Sequence, residues 1–184
     1  MKNIIILYIL VSSLISAQSL KLGFRLEPSI ILTEDYNESG LQFTPYGLAI
    51  TSIYSPLKDF ELEVRGGYFL GGEDFTGFEY GAFINYRLFN GDFLLSAGLL
   101  NHLNSASGHN TSVSYAKDLL FTGLGLKYLV DSKLSVDMMY FWASDKVYGY
   151  SWITDHSGFS RIIDKRINGL LKIGISLAFN IIKN

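Results

Sequence analysis

The sequence predicts an all-β fold, an eight-stranded antiparallel up-and-down transmembrane β-barrel that crosses a membrane through its strands. Three observations carry that expectation. Apolar and polar side chains alternate with period two over eight runs. The breaks between those runs are short and long in turn, as in a meander closed into a barrel. The 184 residues also combine a 48% hydrophobic and 15% aromatic share with only 17% charged residues, a balance that favours a lipid environment.

Residues 1–17, MKNIIILYILVSSLISA, set Lys2 ahead of a short apolar run followed by Ser12, Ser13, Ser16 and Ala17. That is the layout of a secretory signal peptide, with cleavage expected after Ala17. Its apolar stretch of roughly ten residues falls short of the ~20 a spanning helix needs. No later segment offers such a stretch, so the remaining hydrophobicity belongs on strands. Residues 18–184 are then one barrel domain.

The first run sets Leu20, Leu22, Phe24 and Leu26 against Lys21, Gly23, Arg25 and Glu27, and the second sets Tyr46, Leu48 and Ile50 against Gly47, Ala49 and Thr51. The third is near-ideal, with Phe60, Leu62, Val64 and Tyr68 against Glu61, Glu63, Arg65 and Gly67. In the fourth, Phe78, Tyr80, Ala82, Ile84 and Tyr86 oppose Glu79, Gly81, Asn85 and Arg87, and Phe83 breaks the pattern. The fifth is the least polarised, with Phe93, Leu95, Ala97 and Leu99 against Leu94, Ser96, Gly98 and Leu100. Leu120, Leu124, Leu126 and Tyr128 mark the sixth, Leu134, Val136, Met138, Tyr140 and Trp142 the seventh, and Leu171, Ile173, Ile175, Leu177 and Phe179 the eighth.

The second, fourth and sixth breaks, SPLKD (55–59), NGD (90–92) and DSK (131–133), have the chemistry of hairpin turns. The others, TEDYNESG (33–40), GGEDFTG (71–77), NSASGHNTSVSYA (104–116) and 143–166, are longer and are expected as loops. Volume decides which face points inward. An eight-stranded barrel is just wide enough to be filled by side chains. The bulky apolar face would overfill it, whereas the face of glycines, serines and charges fits if its ions pair. The greasy face therefore meets lipid. Tyr54, Phe60, Tyr86, Phe93, Tyr128 and Phe179 then fall at the short-turn end and Tyr46, Tyr68, Phe78, Tyr140 and Trp142 toward the long-loop end, as two interfacial girdles require.

On this pattern the chain resembles the small eight-stranded outer-membrane barrels, the group that includes outer membrane protein X and the membrane domain of outer membrane protein A. The resemblance implies the bacterial outer membrane as location, with outer-membrane lipid, lipopolysaccharide and the outer-membrane assembly machinery as partners. The chain ends FNIIKN, with Phe179 five residues before the end, where many such barrels end on an aromatic residue.

Inward positions supply Lys21, Arg25, Arg65, Arg87, Lys127 and Lys172 against Glu27, Glu61, Glu63, Glu79 and Asp137. Charges lining so narrow a barrel must pair, because an isolated buried ion costs several kcal/mol, of the order expected from desolvation. They are expected to form a structural network. No catalytic site is expected. His102 with Ser105 departs from the His-x-Ser-Asn run of the outer-membrane lipid A deacylases, since Asn104 holds the serine's place and Ser105 falls on the other face. His156 and Ser157 lie in DHSG, a turn sequence. His102, His109 and His156 show no ligand spacing, so neither a metal nor a cofactor is expected. The absence of cysteine removes thiol chemistry and disulfides, and a net charge of -2 argues against a nucleic-acid partner.

Beyond Trp142 the even-numbered face continues as Tyr148, Tyr150 and Trp152, reaching the DHSG turn and returning through GFSRIIDK. Strands seven and eight are thus expected to outrun the membrane as a hairpin with open edges, able to meet an extracellular protein by strand addition. The chain reads as a monomeric, non-enzymatic barrel with a structural or surface-adhesion role. The alternatives are a narrow channel for a small or hydrophobic solute, similar to outer membrane protein W, and a lipid A-modifying barrel enzyme.

Overall fold

The computed structural model of the protein describes residues 19–35, 38–44, 46–89, 91–108, 111–154 and 158–183, and the segment read as a signal peptide lies outside them. Its strands are β1 (Ser19–Leu26), β2 (Ser29–Asp35), β3 (Glu38–Thr44), β4 (Gly47–Leu57), β5 (Phe60–Leu70), β6 (Thr76–Arg87), β7 (Phe93–Asn104), β8 (Ser112–Ser114), β9 (Lys117–Leu129), β10 (Leu134–Ala143), β11 (Val147–Thr154) and β12 (Ser160–Lys183). Eight of them, in the order β1-β4-β5-β6-β7-β9-β10-β12, form a ring. β12 closes it by pairing back to β1, with Leu22 opposite Phe179 and Phe24 opposite Leu177. Closure satisfies the backbone polar groups of the ring without leaving an edge, the condition for standing in hydrocarbon.

The alternation is expressed as two faces. Phe24 is 70% exposed, while its neighbour Arg25 is 1% exposed. The outward rows of Leu22, Leu48, Ile50, Val64, Ile84, Leu99, Leu124, Met138 and Ile175 make a continuous apolar band, far larger than a water-facing surface tolerates. Tyr86, Phe93, Tyr128 and Phe179 border it at one end and Tyr46, Tyr68, Phe78 and Trp142 toward the other, all with exposed rings. The band is therefore the lipid-facing surface of a membrane-spanning barrel.

The sequence reading of 33–40 as a polar loop is corrected. β2 and β3 pair throughout, from Ser29 opposite Thr44 to Asp35 opposite Glu38. Pro28 has no N–H to give a ladder, so β1 and β2 are separate strands, yet its carbonyl still accepts from the Ile173 amide at 2.9 Å. β12 consequently changes partners along its 24 residues. Below, it lies between β1 and β10; above, between β2 and β11. With β3 beyond β2 and β8 beyond β11, the sheet continues past the band as a five-stranded ridge, β3-β2-β12-β11-β8. The expected hairpin at 143–166 is its centre. Its edges are open only in part: β8 takes Gly149–Ser151 and β2 takes Arg166–Lys172, while Ser160–Lys165 pair only with β11 among the described residues.

The interior differs from expectation in a second way. Phe83, Leu100, Leu119, Phe121, Met139 and Phe141 are all buried inside, in one cluster with Phe69. One wall of the lumen is thus apolar. Glycine makes the room: a Cβ at Gly123 would overlap the Phe141 ring, and one at Gly174 would overlap the Arg25 guanidinium.

Closed barrels resist detergent, so unboiled protein is expected to migrate differently from boiled protein on SDS gels. Gly123→Leu, which overpacks Phe141, is expected to cost about 1–3 kcal/mol and to lower the temperature at which the folded band disappears. A mobility insensitive to heating would contradict the closed ring.

Candidate functional site

The narrow ring brings inward charges from six of its strands into one network, and polar side chains from the other two join it. Arg25 on β1 forks onto Asp137 of β10, with Nη2 2.6 Å from Oδ1 and Nη1 on Oδ2. Nη1 also donates to Ser176 Oγ on β12 at 2.8 Å, and Nε donates to Glu27. Arg65 on β5 donates from Nε to Glu63 at 2.7 Å and from Nη1 to Glu27 at 3.4 Å, and its guanidinium lies 4.1 Å from the Phe83 ring centre. Lys127 on β9 reaches Glu63 at 3.0 Å and Glu61 at 3.5 Å. Lys172 on β12 joins Glu27 at 3.3 Å to Glu79 of β6. Thr51 on β4 and Asn85 on β6 each donate to Glu63 at 3.0 Å, and Ser96 on β7 donates to Asn85 at 2.7 Å.

The structure thus gathers Arg25, Glu27, Glu61, Glu63, Arg65, Glu79, Lys127, Asp137 and Lys172. Lys21 and Arg87 sit at the short-turn rim, where they donate to the carbonyls of Ser132 (3.0 Å) and Gly91 (2.8 Å). Two small pockets, one at the short-turn rim beside Lys21, Glu61 and Lys127 and one beside Glu27, Arg65 and Glu79, measure about 10 Å³ each. That is the space of about one water, too little for a hydrated solute.

Above the ions lies an aromatic cap that the sequence reading missed. Phe75, from the loop between β5 and β6, stacks on His102 at 4.0 Å and meets Phe69 and Tyr148 edge-on, each at 5.8 Å. His102 is fully buried and its Nδ1 lies 3.2 Å from Glu79. The signal for His102 was its place in the inward row of β7, between Leu100 and Asn104. Ser105 is not its partner, since its hydroxyl donates to the Thr76 carbonyl at 3.1 Å. His109 and His156 lie outside the described residues.

The cap loop is latched to the ridge. Asp74 pairs with Lys165 of β12 and accepts from Ser112 Oγ at 2.9 Å and from Ser114 Oγ at 3.4 Å. Partial burial pushes the Asp74 carboxyl up, but the hydrogen bonds from Lys165 and Ser112 outweigh it and hold the group below the usual aspartate range.

Of the residues expected at the surface, Tyr148 is corrected. A bulge between Val147 and Gly149 changes the parity of β11, turning Tyr148 inward onto Phe75, where it is 5% exposed. Tyr150 and Trp152 do share the outer face. Their rings lie 5.1 Å apart, and Tyr150 lies 5.8 Å from Tyr115.

No protein-family model and no curated protein matches the chain. Among solved structures it is similar to the outer membrane protein OprG from Pseudomonas aeruginosa, at 13% identity over 89% of this chain and 97% of that one, with a TM-score of 0.49. It is also similar to Neisserial surface protein A, at 16% identity over 89% and 99% of the two chains and a TM-score of 0.44. Ail, the attachment invasion locus protein of Yersinia pestis, aligns at 14% identity over 88% and 97%, with a TM-score of 0.39.

Arg25→Met would leave Asp137 buried without its paired guanidinium and take one of three cations from Glu27, and is expected to cost about 3–5 kcal/mol, read by urea unfolding in lipid vesicles. Arg25→Met with Asp137→Leu should recover part of that loss. Because folding lowers the Asp74 pKa, its latch contributes stability above the ordinary aspartate value of about 3.9 and loses it as pH falls through the lower folded value. Amide protection in residues 71–75, each rate taken relative to its intrinsic rate at the same pH, is therefore expected to fall in strong acid, and Asp74→Asn should remove that pH dependence.

Proposed function

We propose that this chain is a non-enzymatic protein of the bacterial outer membrane whose task is surface interaction, carried by the ridge that the barrel holds above the lipid. The observation that carries this reading is the continuation of β12 from the membrane band into the centre of a five-stranded sheet. At about 3.3 Å per residue its length is roughly 80 Å before tilt, well beyond an apolar band about 25 Å tall. Strand ladders hold this surface rigid, so a partner binding it would meet a pre-ordered face and lose less to ordering.

Two features of the ridge suit a protein partner. Its outer face carries Tyr115, Tyr150 and Trp152 in contact, with Ile162 opposite Trp152 and 69% exposed. Aromatic anchors of this kind dominate binding energy at interfaces. Among the described residues, Ser160–Lys165 pair only with β11, leaving the other edge of that stretch for strand addition. Lipopolysaccharide and outer-membrane lipid surround the barrel, the assembly machinery inserts it, and it acts as a monomer without a cofactor. The ion network serves as the structural plug that keeps the platform rigid. Conduction is disfavoured by Phe75 and His102 standing across the mouth above the paired ions.

Cells displaying the protein are expected to be retained on extracellular-matrix-coated plates, and the double variant Trp152→Ser with Ile162→Asn should bring retention down to that of cells lacking the protein while keeping the heat shift. Unchanged retention in the variant would overturn the adhesive reading. In planar bilayers the purified barrel should show no unitary conductance steps; regular steps would favour the channel.

A further inference from the structure

The lipid-facing wall is not uniformly convex. On β5 the outward row runs Leu62, Val64, Gly66, Tyr68 and Leu70, so that one position between bulky neighbours has no side chain. A Cβ at Gly66 would meet only the tip of the Phe78 ring, at 3.7 Å. Its neighbours in register across the sheet are Ile50 on β4 and Tyr80 on β6, and one step higher Leu48, Tyr68 and Phe78 stand in a row. Phe24, Leu26, Ile175 and Leu177 extend the same hollow across β1 and β12. The result is a groove of about 580 Å³ whose outward side chains are aliphatic and aromatic, within the range of small-ligand sites.

We propose that this groove is a binding site for one acyl chain of a lipid from the membrane leaflet nearest the long loops. Two observations select that occupant. The groove is continuous with the lipid-facing surface established above, so hydrocarbon is the medium that reaches it. Its upper border is Tyr68 and Phe78 of the girdle at the long-loop end, which places it in that half of the band. A chain seated there contacts protein along its length, whereas a chain on a convex wall touches on one side only, and the additional close contacts are what make a lipid resident. The site is independent of the ridge and of any adhesive partner.

The test uses the full barrel purified in detergent, with dimyristoyl phosphatidylglycerol added back and retention read by native mass spectrometry. The same barrel in dimyristoyl phosphatidylcholine vesicles containing a small fraction of diazirine-acyl phosphatidylcholine is photolysed, and adducts are mapped. Wild type is expected to retain one phospholipid per barrel, and adducts should concentrate on the outward residues 24, 26, 48, 50, 66, 68 and 78. Gly66→Phe and the milder Gly66→Val, which fill the hollow from outside the packed interior, should lose the retained lipid while keeping the heat shift. Ala97→Phe, on the outward face of β7, should retain it. Equal retention in wild type and Gly66→Phe would overturn the proposal, as would adducts spread evenly over β7, β9 and β10. A wild-type dimer in detergent that Gly66→Phe dissociates would assign the groove to a second copy and overturn it equally.

Discussion

Burying charge inside a tube of eight strands is the constraint on which the rest of the structure depends. Water cannot enter in bulk to solvate those ions, and a single unpaired one would cost several kcal/mol, a large part of a domain's net stability of about 5–15 kcal/mol. Arg25 meets the constraint by bridging β1, β10 and β12 with one guanidinium, and Glu63 gathers Arg65, Lys127, Thr51 and Asn85 from β5, β9, β4 and β6. The network therefore does more than neutralise. Removing one register step would flip these side chains to lipid, so the ions and the register enforce one another around the ring.

The apolar wall opposite the ions follows from the same geometry. A lumen filled by salt bridges alone would need every carboxylate to face a cation, and the strands of the ring carry too few charges for all inward positions. Phe83, Phe121 and Phe141 fill the remainder, and Gly98 and Gly123 on neighbouring strands give the Phe83 and Phe141 rings space. Arg65 lies over Phe83 and Lys172 lies 4.4 Å from the Phe69 ring centre, so the two halves of the lumen meet through cation–π contacts rather than a bare boundary.

Rigidity in the lumen is transmitted upward. β12 belongs to the ring through Ile175–Lys183 and to the ridge through Ser160–Arg166, and the cap loop ties to the ridge through Asp74 and Lys165. Between ring and ridge β12 runs on as one strand, with a bulge at Ile167–Gly169 where it meets β2. The ridge's outer aromatic row is consequently held by the same strand that carries Lys172 into the ion network.

Period-two alternation was enough to determine the eight strands of the ring, their inward and outward faces and the lipid-facing surface, and it named the inward charges, of which Lys21 and Arg87 sit at the rim rather than in the network. These are local properties, because side-chain direction in a strand alternates with residue number alone. The same rule placed Tyr148 wrongly, since one bulge at Val147–Gly149 changes the parity, and a bulge depends on what the partner strand requires. The ridge was hidden in 33–40 because Thr33, Glu34 and Asp35 are polar on both faces, as a strand standing in water permits. Phe83 looked like an error of pattern until the tertiary structure set it against Phe141 and Arg65. Which cation takes which carboxylate, how Phe75 closes the mouth over His102, and where Gly66 leaves a hollow were decided only by the closed ring, because they depend on strand neighbours and shear that no single stretch of chain contains.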